Sequence, residues 1–257
     1  MMKPTHQTTS PLAILGCLAL LAALAGCKAK PAPDSGFLDD PAKLTHDPNS
    51  PFARAWWNPA VNQQKYTRLY VAPVNTQYVM AQNLWERASE AQLSDADIRK
   101  SIESMGTYMH DAFKNAADRD PKHRLKVVDE PSGPDTLVLE MAIVQLVPSK
   151  AVLNALGFVT WIPAAVAIFG STVTQSEDQG KGVIAFEARM RDGVTGEVVG
   201  MFADREHPPT ALVDIKALNW WAPAKTVVDA WAKQFVDVLN NPGKKVPGSN
   251  AFELLVW

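Results

Sequence analysis

The stretch IAFEARMRDGVTGEVVGMFA, residues 184–203, decides the architecture. Ile184, Phe186, Ala188 and Met190 alternate with Glu187, Arg189 and Arg191. That period of two predicts a strand with one core face and one wet face. Asp192-Gly193 and Gly196 supply a turn, and Val198–Ala203 returns as the second strand. The sheet must therefore contain an antiparallel pair.

Working back from the hairpin, Ala151–Ser176 holds no charged residue and includes Trp161, Ile162, Pro163, Ile168 and Phe169. It is long enough in number to span a bilayer, but Asn154, Gly157, Pro163 and Gly170 interrupt it. Three readings follow: a broken helix over the sheet, an exposed apolar loop meeting a partner or the membrane interface, and a true span. The span ranks last, because the flanking strands belong to one domain. Before this segment, Thr136–Val147 is a near-continuous apolar run, as a central strand would be. Leu125–Val128 predicts a short strand.

Ser94-Asp95-Ala96-Asp97 opens the clearest helix, with Ser94 as N-cap and acidic residues in the first turn. Ile98, Ile102, Met105, Met109, Ala112, Phe113 and Ala116 then form one apolar stripe, and Pro121 lies beyond the stop. Lys65–Val74 has strand composition, with Pro73 near its end. Downstream of the hairpin, Val227, Val228, Trp231, Phe235, Val238 and Leu239 mark a second amphipathic helix, ended by Asn241-Pro242-Gly243. A strand-helix-strand unit gives a parallel pair, and the hairpin adds antiparallel strands. The expectation is a single α+β domain over residues 56–241, with one mixed β-sheet and helices mainly on one face. A C-terminal tail, 242–257, follows.

The N-terminus has a different logic. Residues 1–10 carry one firm positive charge, Lys3, and residues 11–26 are uncharged and rich in Leu and Ala. This has the parts of a secretory signal and is short for a membrane-spanning helix. Leu24-Ala25-Gly26-Cys27 resembles the lipobox of bacterial lipoproteins. That resemblance implies cleavage between Gly26 and Cys27, with a diacylglycerol and an N-acyl chain added to Cys27. Cys17 follows Gly16 too, but only Pro11–Leu15 precede it as an apolar run. An ordinary signal peptide with an incidental cysteine is the plainer alternative. Acyl chains at about 0.8 kcal/mol per buried CH₂ would hold the protein on a bilayer almost permanently. Lys28, rather than Asp, favours by the same resemblance the outer membrane, facing the periplasm. Residues 27–55 read as a lipidated, Pro-rich tether. As coil, residues 28–51 would span on the order of 25 Å, with Phe37 and Leu38 expected to dock back.

Several motifs, each weak, fall in an order that resembles the bacterial lipoprotein family called domain of unknown function 3313. They are Ser35-Gly36-Phe37-Leu38; Asn58-Pro59; Tyr66 through Pro73-Val74; Val127-Val128-Asp129 with Pro134; Gly182 to Arg205, with Thr195-Gly196-Glu197 and Asp204-Arg205; and Trp231-Ala232. The resemblance implies a cell-envelope lipoprotein and brings no established activity or site. The tail after Pro242 is longer than it leads one to expect.

Chemistry-bearing residues are sparse. The formal net charge is −2, and no basic stripe points to nucleic acid. Cys17 leaves with the signal and Cys27 is acylated, so no thiol remains for a disulfide or metal. His46, His110, His123 and His207 share no metal-ligand spacing. His110-Asp111 reads as solvated helix surface, with the two side chains pointing apart. Asp204-Arg205-Glu206-His207 offers either an acid/base pair beside an arginine or cross-strand ion pairs with Glu187 and Arg189; structure is favoured. No phosphate loop or Gly-x-Ser-x-Gly elbow occurs. Trp56-Trp57 and Trp220-Trp221 suit either an interfacial belt or the ends of a core. Phe252–Trp257 would pack on the domain or lend a strand to a partner's sheet.

The leading expectation is a non-enzymatic binding or scaffolding lipoprotein. It has no metal or cofactor beyond the lipid, and it meets an envelope protein through Trp161, Ile162, Ile168 and Phe169. The alternatives are a subunit of an oligomeric envelope assembly using residues 151–176, and a hydrolase at residues 204–207.

Overall fold

The computed structural model describes residues 31–80, 95–147, 182–208, 221–242 and 244–246. The signal, Cys27, residues 151–176, Trp220 and the tail from residue 247 lie outside the described residues.

Six strands form one mixed sheet: β1 Arg54–Trp57, β2 Arg68–Val71, β3 Lys126–Val128, β4 Thr136–Val147, β5 Val183–Asp192 and β6 Val198–Glu206. Their spatial order is β1-β6-β5-β4-β2-β3. β2 runs parallel to both β3 and β4, as the crossover predicts, while β4–β5, β5–β6 and β6–β1 are antiparallel. The helices are α1 Gln77–Met80, α2 Asp95–Asp118 and α3 Ala222–Asn240. The chain is thus a single α+β domain.

β4 is central because its residues are apolar on both faces; only Glu140 is less than fully buried. Leu139, Met141 and Ile143 face the helices, while Ala142 and Val144 face the other way. A register shift between Ile143 and Gln145 bulges the strand near its end. Ile102, Met105, Met109 and Phe113 of α2 and Val228, Trp231 and Phe235 of α3 cover the first face. Phe52, Phe113, Phe186, Phe202, Phe235 and Trp231 meet there as a connected aromatic cluster, with centroids 4.4–6.1 Å apart.

α2 and α3 run parallel with a nearly constant offset. The Trp221 indole N–H donates to Ser101, the Tyr108 hydroxyl to Asp229, and the Asn240 amide to Asp120. Small residues on the contact side, Ala112 and Ala116 on α2 and Ala232 on α3, let the helices approach.

The other face differs from the expected wet surface. Glu187 is 2% exposed, and Arg189 and Arg191 are only half-exposed. Their cover is the segment read as a coil. Residues 31–45 lie across the sheet and end in an antiparallel bridge between Thr45 and Ala55. Phe37 and Leu38 do dock, joining Leu44, Ala142, Val144, Ala185, Met201 and Ala203 in a second core. The alternation in β5 is present as read, but neighbouring protein takes the place of water.

Two glycines are dictated by close approach. A Cβ on Gly200 would sit 2.8 Å from the Trp57 ring, and one on Gly193 would sit 2.7 Å from the Pro131 carbonyl oxygen. The hairpin turn is closed by Asp192, whose carboxylate accepts from the backbone N–H of Val194 and Thr195 at 3.0 Å each. Gly196 takes φ 70°, the left-handed region open to glycine.

Candidate functional site

Polar chemistry concentrates at three places, and the strap over the second face is the most built. The Ser35 hydroxyl donates to Glu187 Oε2 at 2.6 Å, and its backbone N–H to Oε1 at 3.3 Å. Two residues on, Arg189 Nη1 donates to the Phe37 carbonyl at 2.7 Å while its guanidinium lies 4.6 Å from the Phe37 ring centre. Asp39 accepts from Arg191 Nη2 with both oxygens at 2.8 Å and from Arg189 at 3.2 Å. Glu140, from β4, accepts from the Nε of both arginines, at 2.5 and 3.2 Å. At the strap's beginning, Arg54 donates from both Nη1 and Nη2 to Asp34 Oδ1 and reaches the Ala32 carbonyl. Partial burial pulls the Asp39 carboxyl upward, but the Arg191 bond and both positive charges outweigh it and hold the group below its usual range.

These contacts surround the two arginines with acids, the Phe37 and Gly196 carbonyls and the Phe37 ring. Arg189 and Arg191 balance Asp39 and Glu140, so the network works as a clasp between strap and sheet. The sequence signal was there in part: alternating Glu187, Arg189 and Arg191 mark one face of β5. Their partners Ser35 and Asp39 sit in a segment without periodicity, so nothing in the sequence connects them.

The strand end read as a possible acid/base site comes apart in space. Asp204 and Arg205 are neighbours on β6 and so point to opposite faces. Asp204 turns into the aromatic core, where it accepts from the Trp231 indole at 2.9 Å and from the backbone N–H of Ala53 and Arg205. Arg205 turns to the other face and donates to Gln145 at 2.9 Å. The cross-strand pairing with Glu187 and Arg189 is absent from this register: Asp204 stands opposite Phe186, and Arg205 opposite Ala185. His207 Nδ1 lies 2.9 Å from the Gly182 carbonyl. Asp204 is 4% exposed and serves as a junction between β6, the entry to β1 and α3.

The third place is an open groove of about 690 Å³ along the outer seam of α2 and α3, where Asp111, Arg119, Asp229 and Lys233 mix both signs. Burial and then the Asp229 carboxylate push the Tyr108 hydroxyl up to about 12, so it keeps its proton near neutrality. It is a fixed donor to Asp229 and is not poised for proton transfer. His110 contacts Asp111 at 2.9 Å, contrary to the expectation that the two point apart.

The histidines stay dispersed: His46 meets the Ala53 carbonyl, His123 stands in a turn with φ 46°, and His110 and His207 are placed as above. Among the described residues no three His, Cys, Asp or Glu side chains are grouped to hold a metal ion. No helix of the described residues is long and apolar enough to cross a membrane. Trp56 and Trp57 are half-buried on β1, and Trp221 is buried at the start of α3. Cys27, Trp161, Ile162, Ile168 and Phe169 lie outside the described residues.

The family model described as "Protein of unknown function (DUF3313)" matches residues 33–235. None of the curated proteins compared with the chain matches it. Among solved structures, the PelC dodecamer from Paraburkholderia phytofirmans is similar at 12% identity, covering 70% of this chain and 94% of that one, with a TM-score of 0.35. A point variant of the same dodecamer gives 11% identity, 72% and 96% coverage, and a TM-score of 0.37.

Proposed function

We propose that this chain, which belongs to the DUF3313 family, is a lipid-anchored lipoprotein of the bacterial envelope. Its α+β domain serves as a binding or scaffolding module at the outer membrane's periplasmic face. Cys27 is the lipidated residue, cleavage falls after Gly26, and the acyl chains are the membrane attachment. The observation that carries this reading is the strap. A few residues past Cys27 the chain is already clasped to the sheet through Ala32, Asp34, Ser35 and Asp39. Spending so many contacts on an N-terminal segment suits a chain whose N-terminus bears load.

The absence of any charged residue from Ala151–Ser176 supports Ala151–Thr174, with Trp161, Ile162, Ile168 and Phe169, as the contact surface for an envelope protein. Val147 and Val183 are antiparallel partners, so the chain departs and returns at one end of the sheet. The position of Asp204 supports structure over hydrolysis at residues 204–207, since its carboxylate already holds three donors.

The test is Cys27→Ala behind an ordinary cleaved signal, followed by fractionation and sizing. A soluble periplasmic monomer is expected. Retention on membranes, or a large oligomer, would favour the assembly-subunit reading, with residues 151–176 inserted or buried between protomers.

A further inference from the structure

The geometry points to the strap as a stand-off that fixes how the domain sits on a lipid surface, with the β1 edge toward the bilayer and the β3 edge away from it. This rests on the lipidation of Cys27 proposed above and deepens it. Cys27 stands about five residues ahead of Ala32, a reach of about 18 Å at full extension. Ala32 is held in place: its carbonyl accepts from Arg54 at the start of β1, and its side chain packs on the second core.

From β1 to β3 the sheet spans five strand spacings, about 24 Å at about 4.8 Å each. With the Cys27 acyl chains inserted and the strap docked, a sheet standing on its β3 edge would hold Ala32 beyond the tether's reach, whereas a sheet standing on its β1 edge keeps Ala32 within it. The strap's path agrees. Asp39 contacts Arg189 and Arg191 toward the hairpin turn, and Ser35 contacts Glu187 further from it. Ala32 then comes out at Arg54, the end of β1 remote from the turn, because Arg54 pairs Ala203 while Trp57 pairs Gly200. Read toward the N-terminus, the chain walks away from the turn and leaves over β1. The exposed hairpin tip at Val194, 66% exposed, is directed away from the anchor.

The experiment uses the full lipidated chain in vesicles of phosphatidylethanolamine and phosphatidylglycerol containing a lipid with a nitroxide headgroup. Thr45→Cys beside β1, Lys126→Cys on β3 and Val194→Cys at the hairpin tip each receive a bimane fluorophore. The sequence has two cysteines; with Cys17 cleaved off and Cys27 acylated, the introduced thiol is the one labelled. Quenching is expected at Thr45 and lost at Lys126 and Val194. A variant carrying both Phe37→Ala and Asp39→Ala, checked for native circular dichroism, should even out the three signals, because a freed strap becomes a coil spanning on the order of 25 Å. Chain that sediments with vesicles but is quenched equally at all three positions, or most at Lys126, overturns the stand-off and leaves the anchor intact. Chain that fails to sediment with vesicles overturns both.

Discussion

Asp192 carries more structure than any other single side chain at the hairpin. Besides capping the turn, Oδ2 accepts from Lys65 at 2.7 Å and from the buried Tyr66 hydroxyl at 3.0 Å. The Lys65 bond, with the turn N–H groups, holds its carboxyl well below the usual range against the pull of burial. Burial and then Asp192 push the Tyr66 hydroxyl up to about 12. A depressed carboxyl contributes stability that is complete above its unfolded value of about 3.9 and is lost as pH falls through the folded value. Urea titrations should show wild-type stability declining from about pH 4 downward. Asp192→Asn should cost about 1–3 kcal/mol at pH 7 and lack that part of the acid decline. Asp192-Gly193 is legible in the sequence as a turn because turn chemistry is local. Its bonds to Lys65 and Tyr66 are not, since they depend on β2 lying beside β4 and β4 beside β5.

At the scale of elements, β4, the hairpin and both long helices are legible because each carries its own period. β4 is apolar on both faces, β5 alternates, and α2 and α3 repeat at helical spacing. The strap carries none: prolines and single polar residues are what a solvated coil would show too. What sets it apart is tertiary. Ser35 and Asp39 find Glu187, Arg189 and Arg191, and Phe37 packs edge-on against Tyr78 at 5.6 Å. The apolar part should dominate its hold. Phe37→Ala should destabilise by about 3 kcal/mol, as loss of a buried ring does, and Asp39→Ala by about 1 kcal/mol or less, because that carboxylate is 45% exposed. Thermal denaturation of the two variants checks the order, and equal losses would mean that the clasp is chiefly electrostatic.

Across the whole molecule, protection should follow the sheet inward from its edges. Amide hydrogen exchange should be slowest at Leu139, Ile143 and Phe186, which sit fully buried in the central strands, and fastest at Lys126–Val128 on the short outer strand β3. Exchange at β3 as slow as at β4 would show that its outer edge is covered in solution. The strap also has a consequence in time. Ser35 meets Glu187 across 152 residues of chain, and Ala53 meets Asp204 across 151. Closing loops of that length comes late in folding, since their entropy must be met before the contacts repay it. If Cys27 is the lipidated residue proposed above, a chain emerging N-terminus first through an export channel would present it long before residues 187–191 exist outside. During that interval the segment beside Cys27 would have nothing to dock on and would stay open to the enzymes of the proposed lipidation and cleavage. Only the arrival of the hairpin would shut that window, so on the proposed reading the order of synthesis itself separates the act of anchoring from the act of folding.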